Sequence, residues 1–403
     1  MTSSVLENIA MAPKDPILGV TEAYNADPNP KKVNLGVGVY TDDDGKVPVL
    51  QCVRRAEQKL AETAMPRNYL PIDGLAAYDK AAQEALFGAD SEPVKSGRVV
   101  TVQTLGGTGA LKVGGDFLRR VNPGADIYIS DPSWENHRAI FEYAGYTVKT
   151  YPYYDAASNG LKFDAMLAAL NAMPGGTIVV LHACCHNPTG IDLNPAQWEQ
   201  VLAAVKQRGL VPFLDLAYQG FSENLDDDAA VARRFAAELP AVFVATSFSK
   251  SLSLYGERVG ALSIVTSGRD EAARTLSQLK RVIRTNYSNP PTHGGEAVVM
   301  VLTDPELRKM WEKELGEMRD RIKVMRKQLV EKIRALRADF DFGFIVEQRG
   351  MFSYSGLTKE QVHRLRDEYS IYALDSGRIC VAALNSKNID YVAGAVAKVL
   401  VQR

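Results

Sequence analysis

Cysteine is scarce in this chain: Cys52, Cys184, Cys185 and Cys380 are the four among 403 residues. So few thiols cannot staple a protein of this size, and two of them are adjacent, so a reducing cytoplasm is the expected setting. Long apolar runs are missing too, and nothing approaches the roughly 18 consecutive apolar residues that a membrane helix needs. The beginning carries Glu7 and Asp15 without a basic start and apolar core, so no signal peptide is expected there. An excess of one charge is also lacking. With 47 Lys+Arg against 48 Asp+Glu the net charge is −1, which offers no basic face to nucleic acid or anionic lipid. Internal repeats and low-complexity tracts do not occur.

What is present reads as an ordinary globular protein. Hydrophobic residues make up 46% and charged residues 24%, values that exclude a disordered chain, and the length suggests roughly two or three domains. Small molecules are the expected partners.

Between about residues 98 and 265, β-branched runs alternate with helical patterns, which predicts a mainly parallel sheet covered on both faces, an α/β class. The runs are Arg98–Gln103, Ala125–Ser130, Thr177–Leu181, Leu210–Leu214, Ala241–Ala245 and Gly260–Val265. All but the last are followed at once by polar residues: Leu105-Gly-Gly-Thr-Gly109, Asp131-Pro-Ser-Trp134, Cys184-Cys-His-Asn-Pro-Thr-Gly190, Asp215-Leu-Ala-Tyr218 and Ser247-Phe-Ser-Lys250. Ligands of open α/β sheets bind outside the carboxyl ends of the strands, so these loops are expected to converge on one crevice. From about Thr303 to Ala338 the spacing predicts a long helix leaving the sheet. The residues from Phe340 onward read as a smaller body, which Val33–Tyr40 is expected to join.

Each loop has a chemistry and a blander alternative. Lys250, among hydroxyls and near Arg258, is placed to become a nucleophile once its pKa falls; alone, a solvated lysine is the commoner case. Gly106 to Gly109 lead into a helix, where free N–H groups and the positive helix end suit an anion. The third glycine of a dinucleotide fingerprint would fall at Lys112, and the Walker ending is missing, so a phosphate monoester fits better than NAD or ATP. Asp215 closes an apolar strand and needs a cationic or N–H partner, such as a protonated pyridine nitrogen; an N-cap is the alternative. Trp134 could lie flat on an aromatic ring, and His137 could hold Asp215 from behind. Asn187 offers an amide for a ring oxygen. His182, Cys184 and His186 would share one face of a strand, but the spacing matches no zinc pattern, so no metal is expected.

An amine nucleophile, a ring-nitrogen partner, a phosphate cradle and a ring-oxygen donor are together what pyridoxal phosphate requires. With them, the chain resembles the class I, fold-type I aminotransferases of the aspartate and aromatic amino acid group. The likeness runs from Asn34-Leu-Gly-Val-Gly-Val-Tyr40 and Asn68-Tyr-Leu-Pro-Ile-Asp-Gly74 through the sheet loops to Arg284-Thr-Asn-Tyr-Ser-Asn-Pro-Pro291 and Ser376-Gly-Arg378.

The resemblance implies an N-terminal arm (1–14), a small α+β domain (15–47 and 311–403), and a large domain (48–310) whose mostly parallel seven-stranded sheet is sandwiched by helices. It implies that Lys250 holds the cofactor covalently and shuttles a proton, that Asp215 faces the ring nitrogen with His137 behind it, and that Trp134 stacks on the ring. Asn187 and Tyr218 would bond the phenolic oxygen, and Gly107, Thr108, Ser247 and Arg258 the phosphate. A homodimer is implied, in which Tyr69 reaches the neighbour's phosphate and Arg284 reads a distal carboxylate there. Arg378, with Asn187 and the Gly38 backbone, would grip the α-carboxylate. Ping-pong transfer from aspartate, tyrosine or phenylalanine to 2-oxoglutarate follows. The segments Gln103–Gly107, Asp131–Asn136 and Ser253–Gly256 are closer to the aromatic branch, whereas Val39, Asn68, Thr108 and Asn289 are closer to the aspartate branch. A lyase or decarboxylase on this fold would share Lys250 and Asp215 without needing Arg284. A non-enzymatic regulator would be expected to carry a further basic domain.

Overall fold

The computed structural model describes residues 4–12, 16–63, 66 and 68–400. Its centre is a seven-stranded sheet of β1 (Val99–Leu105), β2 (Ile127–Asp131), β3 (Val148–Pro152), β4 (Ile178–His182), β5 (Val211–Leu216), β6 (Val242–Ser247) and β7 (Val259–Val265). The spatial order is β1-β7-β6-β5-β4-β2-β3. Strands β2 to β6 run parallel to one another, while β7 is antiparallel to both β1 and β6.

Every residue of β4, β6 and β7 is buried, as expected of strands covered on both faces, where the apolar run need not alternate. The period of two shows instead in which side is packed. Phe213 and Phe243 face one apolar cluster, and their successors Leu214 and Val244 face the other. The strand β3 lies outside the β-branched runs read above. As an edge strand it exposes Lys149 and Thr150, and that interruption breaks the apolar signal.

Four helices matter for the site: α1 (Gly106–Val121), α2 (Glu135–Glu142), α3 (Arg269–Asn286) and α4 (Pro305–Leu336). The expected long helix is α4. Asp304 caps it by accepting from the N–H groups of Glu306 and Leu307, and Pro305 begins it. Leu307, Trp311, Leu315, Met318, Ile322, Met325, Leu329 and Ile333 make its buried stripe, the spacing of a helix packed along one side.

Beyond α4, β8 (Phe352–Tyr354) pairs antiparallel with β9 (Arg378–Cys380). Val33–Asn34 joins this region by pairing in parallel with Ile371–Tyr372. Thus the stretch around Val33–Tyr40 and the C-terminal stretch meet, and both border the carboxyl edge of the sheet.

Candidate active site

A cavity of about 200 Å³ opens at that edge, and the five polar loops all contribute to it. Lys250 lies in the turn between β6 and β7, with Nζ 5.1 Å from the Tyr218 ring centroid. Burial pushes its amine below the ordinary 10.5; Asp215 opposes that shift and Arg258 adds to it. Burial is the larger cause of the lowered pKa, ahead of the Arg258 charge.

Asp215, near the end of β5, is held from behind. Its Oδ2 lies 2.9 Å from His137 Nε2, and His137 Nδ1 lies 2.9 Å from Ser133 Oγ. With Nε2–H donating to the carboxylate, Nδ1 accepts from the serine hydroxyl. Burial alone would raise the carboxyl pKa, but the His137 hydrogen bond and the nearby Lys250 charge hold it below the usual range. Asp215 therefore presents a negative charge to the cavity. Trp134 stands edge-on to His137 at 5.3 Å between centroids and lines the same space.

The anion end is built from α1 itself. Strand β1 runs straight into Gly106, so no separate loop intervenes, and the first turn of α1 carries no acidic residue. A Cβ on Gly107 would sit 3.3 Å from Ser247 Cβ, so a side chain there would fill the space between helix end and serine. Ser247 Oγ accepts from the Ser249 N–H at 3.2 Å. Arg258, in the left-handed region at φ 55, donates to Tyr255 O at 3.0 Å and Ser249 Oγ at 3.4 Å. Thr108 completes this side.

Across the cavity, Arg378 is 1% exposed, yet no carboxylate pairs with it among the described residues. It donates to Asn187 Oδ1 at 3.2 Å and to Gly36 O at 2.6 Å, while its Nε finds no partner among them. The Phe352 ring covers the guanidinium, with its centroid 4.2 Å from Cζ. Gly38 lies against that ring so closely that a Cβ would come 2.6 Å from Phe352 Cζ. Tyr218 is buried, which pushes its phenol pKa up, so its hydroxyl keeps its proton as a donor.

Two expectations fail or stay outside. The shared face of His182, Cys184 and His186 does not form, because β4 ends at His182 and Cys185 turns to φ 52. Cys184 then lines a different cavity, and the His186 nitrogens meet Ser130 and Thr189. His182 instead packs between the rings of His137 and His186, at 4.9 and 4.2 Å, and burial with the neighbouring His137 lowers its pKa to about 3. Tyr69 is 92% exposed and Arg284 is exposed on α3, donating to Ser288 Oγ. Neither lines the cavity.

The structure also adds residues that the sequence left unmarked. Tyr255 lies between Lys250 and Arg258, so the same stretch could have flagged it; its hydroxyl accepts from the Tyr40 N–H at 3.0 Å. Phe352 carried no signal, being one apolar residue far along the chain.

An open α/β sheet that gathers an amine, a buried carboxylate and an anion cradle at its carboxyl edge defines a fold-type I enzyme. The profile of the family "Aminotransferase class I and II" matches residues 30–396, and the chain belongs to that family. It is 60% identical to an aspartate aminotransferase of Pseudomonas aeruginosa, over 98% of this chain and 100% of the relative. It is 50% identical to the aromatic-amino-acid aminotransferase of Escherichia coli, over 96% and 98%. Among solved structures, the aromatic-amino-acid aminotransferase of Burkholderia pseudomallei, covalently bound to pyridoxal phosphate, superposes with a TM-score of 0.97 at 65% identity, covering 99% and 100% of the two chains.

Proposed function

We propose that this protein is a pyridoxal-phosphate-dependent aminotransferase that moves the amino group of aspartate and of aromatic amino acids to 2-oxoglutarate in two half-reactions. The observation that carries the reading is the convergence of Lys250, Asp215 and the α1 cradle on one cavity. The residues fit the cofactor. The α1 N-terminus with Gly107, Thr108, Ser247 and Arg258 suits its phosphate, the space beside Gly107 is one that a side chain would fill, and Asp215 suits a protonated ring nitrogen. Asn187 and Tyr218 suit the ring oxygen, and Trp134 a ring face.

When bound, pyridoxal phosphate supplies an electron sink for the carbon that bears the amino group. The chain does the rest. Lys250 would hold the cofactor covalently, and the lowered pKa of its free amine suits Nζ to accept the proton from the substrate Cα. Asp215, kept ionised by the His137 hydrogen bond, would favour a proton on the ring nitrogen. Arg378, with Asn187 and the Gly38 backbone, orients the α-carboxylate.

The same reading assigns Arg284 to a distal carboxylate and Tyr69 to the phosphate, both in the neighbouring subunit of a homodimer; their exposure on the single chain supports it. It divides the chain into an arm (1–14), a small domain (15–47 and 311–403) and a large one (48–310). A cytoplasmic setting goes with the four cysteines, all buried and unpaired. Among the described residues no helix is long and apolar enough to cross a membrane.

The test is direct. Purified protein loaded with pyridoxal phosphate is given aspartate or phenylalanine with 2-oxoglutarate, and glutamate is measured; both donors should yield it. Absorbance of a lysine-bound cofactor without glutamate would favour a lyase or decarboxylase instead.

A further inference from the structure

Arg326 on α4 is 2% exposed, and no carboxylate pairs with it among the described residues. Its Nη2 donates to the carbonyls of Gly350 and Phe352, both at 2.9 Å, and the guanidinium also meets Ser353 Oγ at 3.3 Å. Burial brings its pKa from 12.5 down to about 10, so it is still charged at neutral pH. A buried cation that meets only neutral acceptors is costly, and all of its acceptors belong to one short segment, Gly350–Ser353.

That segment enters the site. Phe352 is the ring that covers Arg378 and touches Gly38. From the other side the Asn187 loop presses on the same backbone. The Arg349 N–H donates to Gly190 O at 2.5 Å, and a Cβ on Gly190 would come 2.6 Å from Phe352 O. Segment 350–353 is therefore clamped between α4 and the loop that carries Asn187, and Asn187 is itself bonded to Arg378.

We propose that Arg326 is a positioning residue for the substrate α-carboxylate: from behind, it fixes Phe352, and through that ring the plane of the Arg378 guanidinium. It touches neither substrate nor cofactor. The inference rests on the reading that Arg378 takes the α-carboxylate. A side chain that only fastens the core would affect thermal stability and leave substrate binding alone.

The test uses the holoenzyme and the variants R326Q and R326K, with R378K as a control. Binding of succinate, a dicarboxylate without an amino group, is measured by calorimetry, and KM and kcat are measured for aspartate and phenylalanine. Misplacing a binding group by a fraction of an ångström costs about tenfold or more. R326Q should therefore raise the succinate Kd and both KM values by about tenfold, with kcat and the absorbance of the lysine-bound cofactor nearly unchanged. R326K keeps the charge and can still reach the carbonyls, so its rise should be smaller, about threefold. If R326Q does not fold, R326K alone decides, by a KM rise without a kcat loss.

Kd and KM within error of the parent, or a loss confined to kcat, would overturn the proposal. If R378K binds succinate as the parent does, the reading of Arg378 fails as well, and the two failures are told apart.

Discussion

Arg378 and Arg284 are two arginines assigned to two carboxylates of one substrate, and the chain treats them in opposite ways. Arg378 is buried, bonded to Gly36 and Asn187 and roofed by Phe352. Arg284 stands on the exposed face of α3, with Ser288 Oγ as its hydrogen-bond partner among the described residues. A guanidinium locked in place selects what every amino acid shares, the α-carboxylate. A long, flexible arginine stem brought by the neighbouring subunit could take up a distal carboxylate or move aside for an apolar ring. A fixed guanidinium on one side and a flexible stem on the other would let one cavity serve both donors.

Three measurements test that contrast against its background. Lys250→Ala should abolish turnover of both donors alike, by about 10⁴-fold or more in kcat, and remove the absorbance of the lysine-bound cofactor. Residual activity near that of the parent would deny the amine its role. Arg284→Leu should act on one donor only. The kcat/KM for aspartate should fall by about 10²-fold or more, as expected when a buried substrate charge loses its partner, and that for phenylalanine should stay within a few-fold. Equal losses would assign Arg284 to structure.

The smallest effect concerns Lys250 itself. In protein stripped of cofactor, the pH midpoint for labelling Lys250 with an amine-directed reagent should lie below the ordinary 10.5. Asp215 raises that pKa and Arg258 lowers it, so the midpoint should fall further in Asp215→Asn and climb in Arg258→Gln. Shifts of the opposite sign would mean that burial, Asp215 and Arg258 have been assigned the wrong parts.

Much of the site could be read in the sequence because polar residues stand out after buried strands. Asp215, Ser247 and Lys250 follow apolar runs, and a charge at such a place needs a reason. His137 is legible as Asp215's support because the segment that leads into its helix follows another such run. Other parts carry no comparable mark. Strand β3 alternates exposed Lys149 and Thr150 with buried neighbours, the pattern of any short surface segment. Phe352 and Arg326 lie far along the chain from the sheet loops, and each is an ordinary residue for its element, a phenylalanine in a strand and an arginine in a helix. Only the packing of α4 against segment 350–353 gives them meaning. Arg378 was named through family likeness, since nothing in Ser376-Gly-Arg378 by itself distinguishes a carboxylate clamp from a surface ion pair.

The reversed strand β7 has one more consequence. Because it runs against its neighbours, with Gly260 opposite Ser247, the chain leaves the sheet after Ser247 and re-enters it at the same edge just after Arg258. Lys250 and Arg258 thus share one closed excursion, whereas the other polar loops feed crossovers that return through helices. Lengthening a crossover can be absorbed by the helix that follows. Inserting a residue between Lys250 and Arg258 has nowhere to go but into the spacing of amine and guanidinium, so this stretch should have the least tolerance of length variation of all the loops around the cavity.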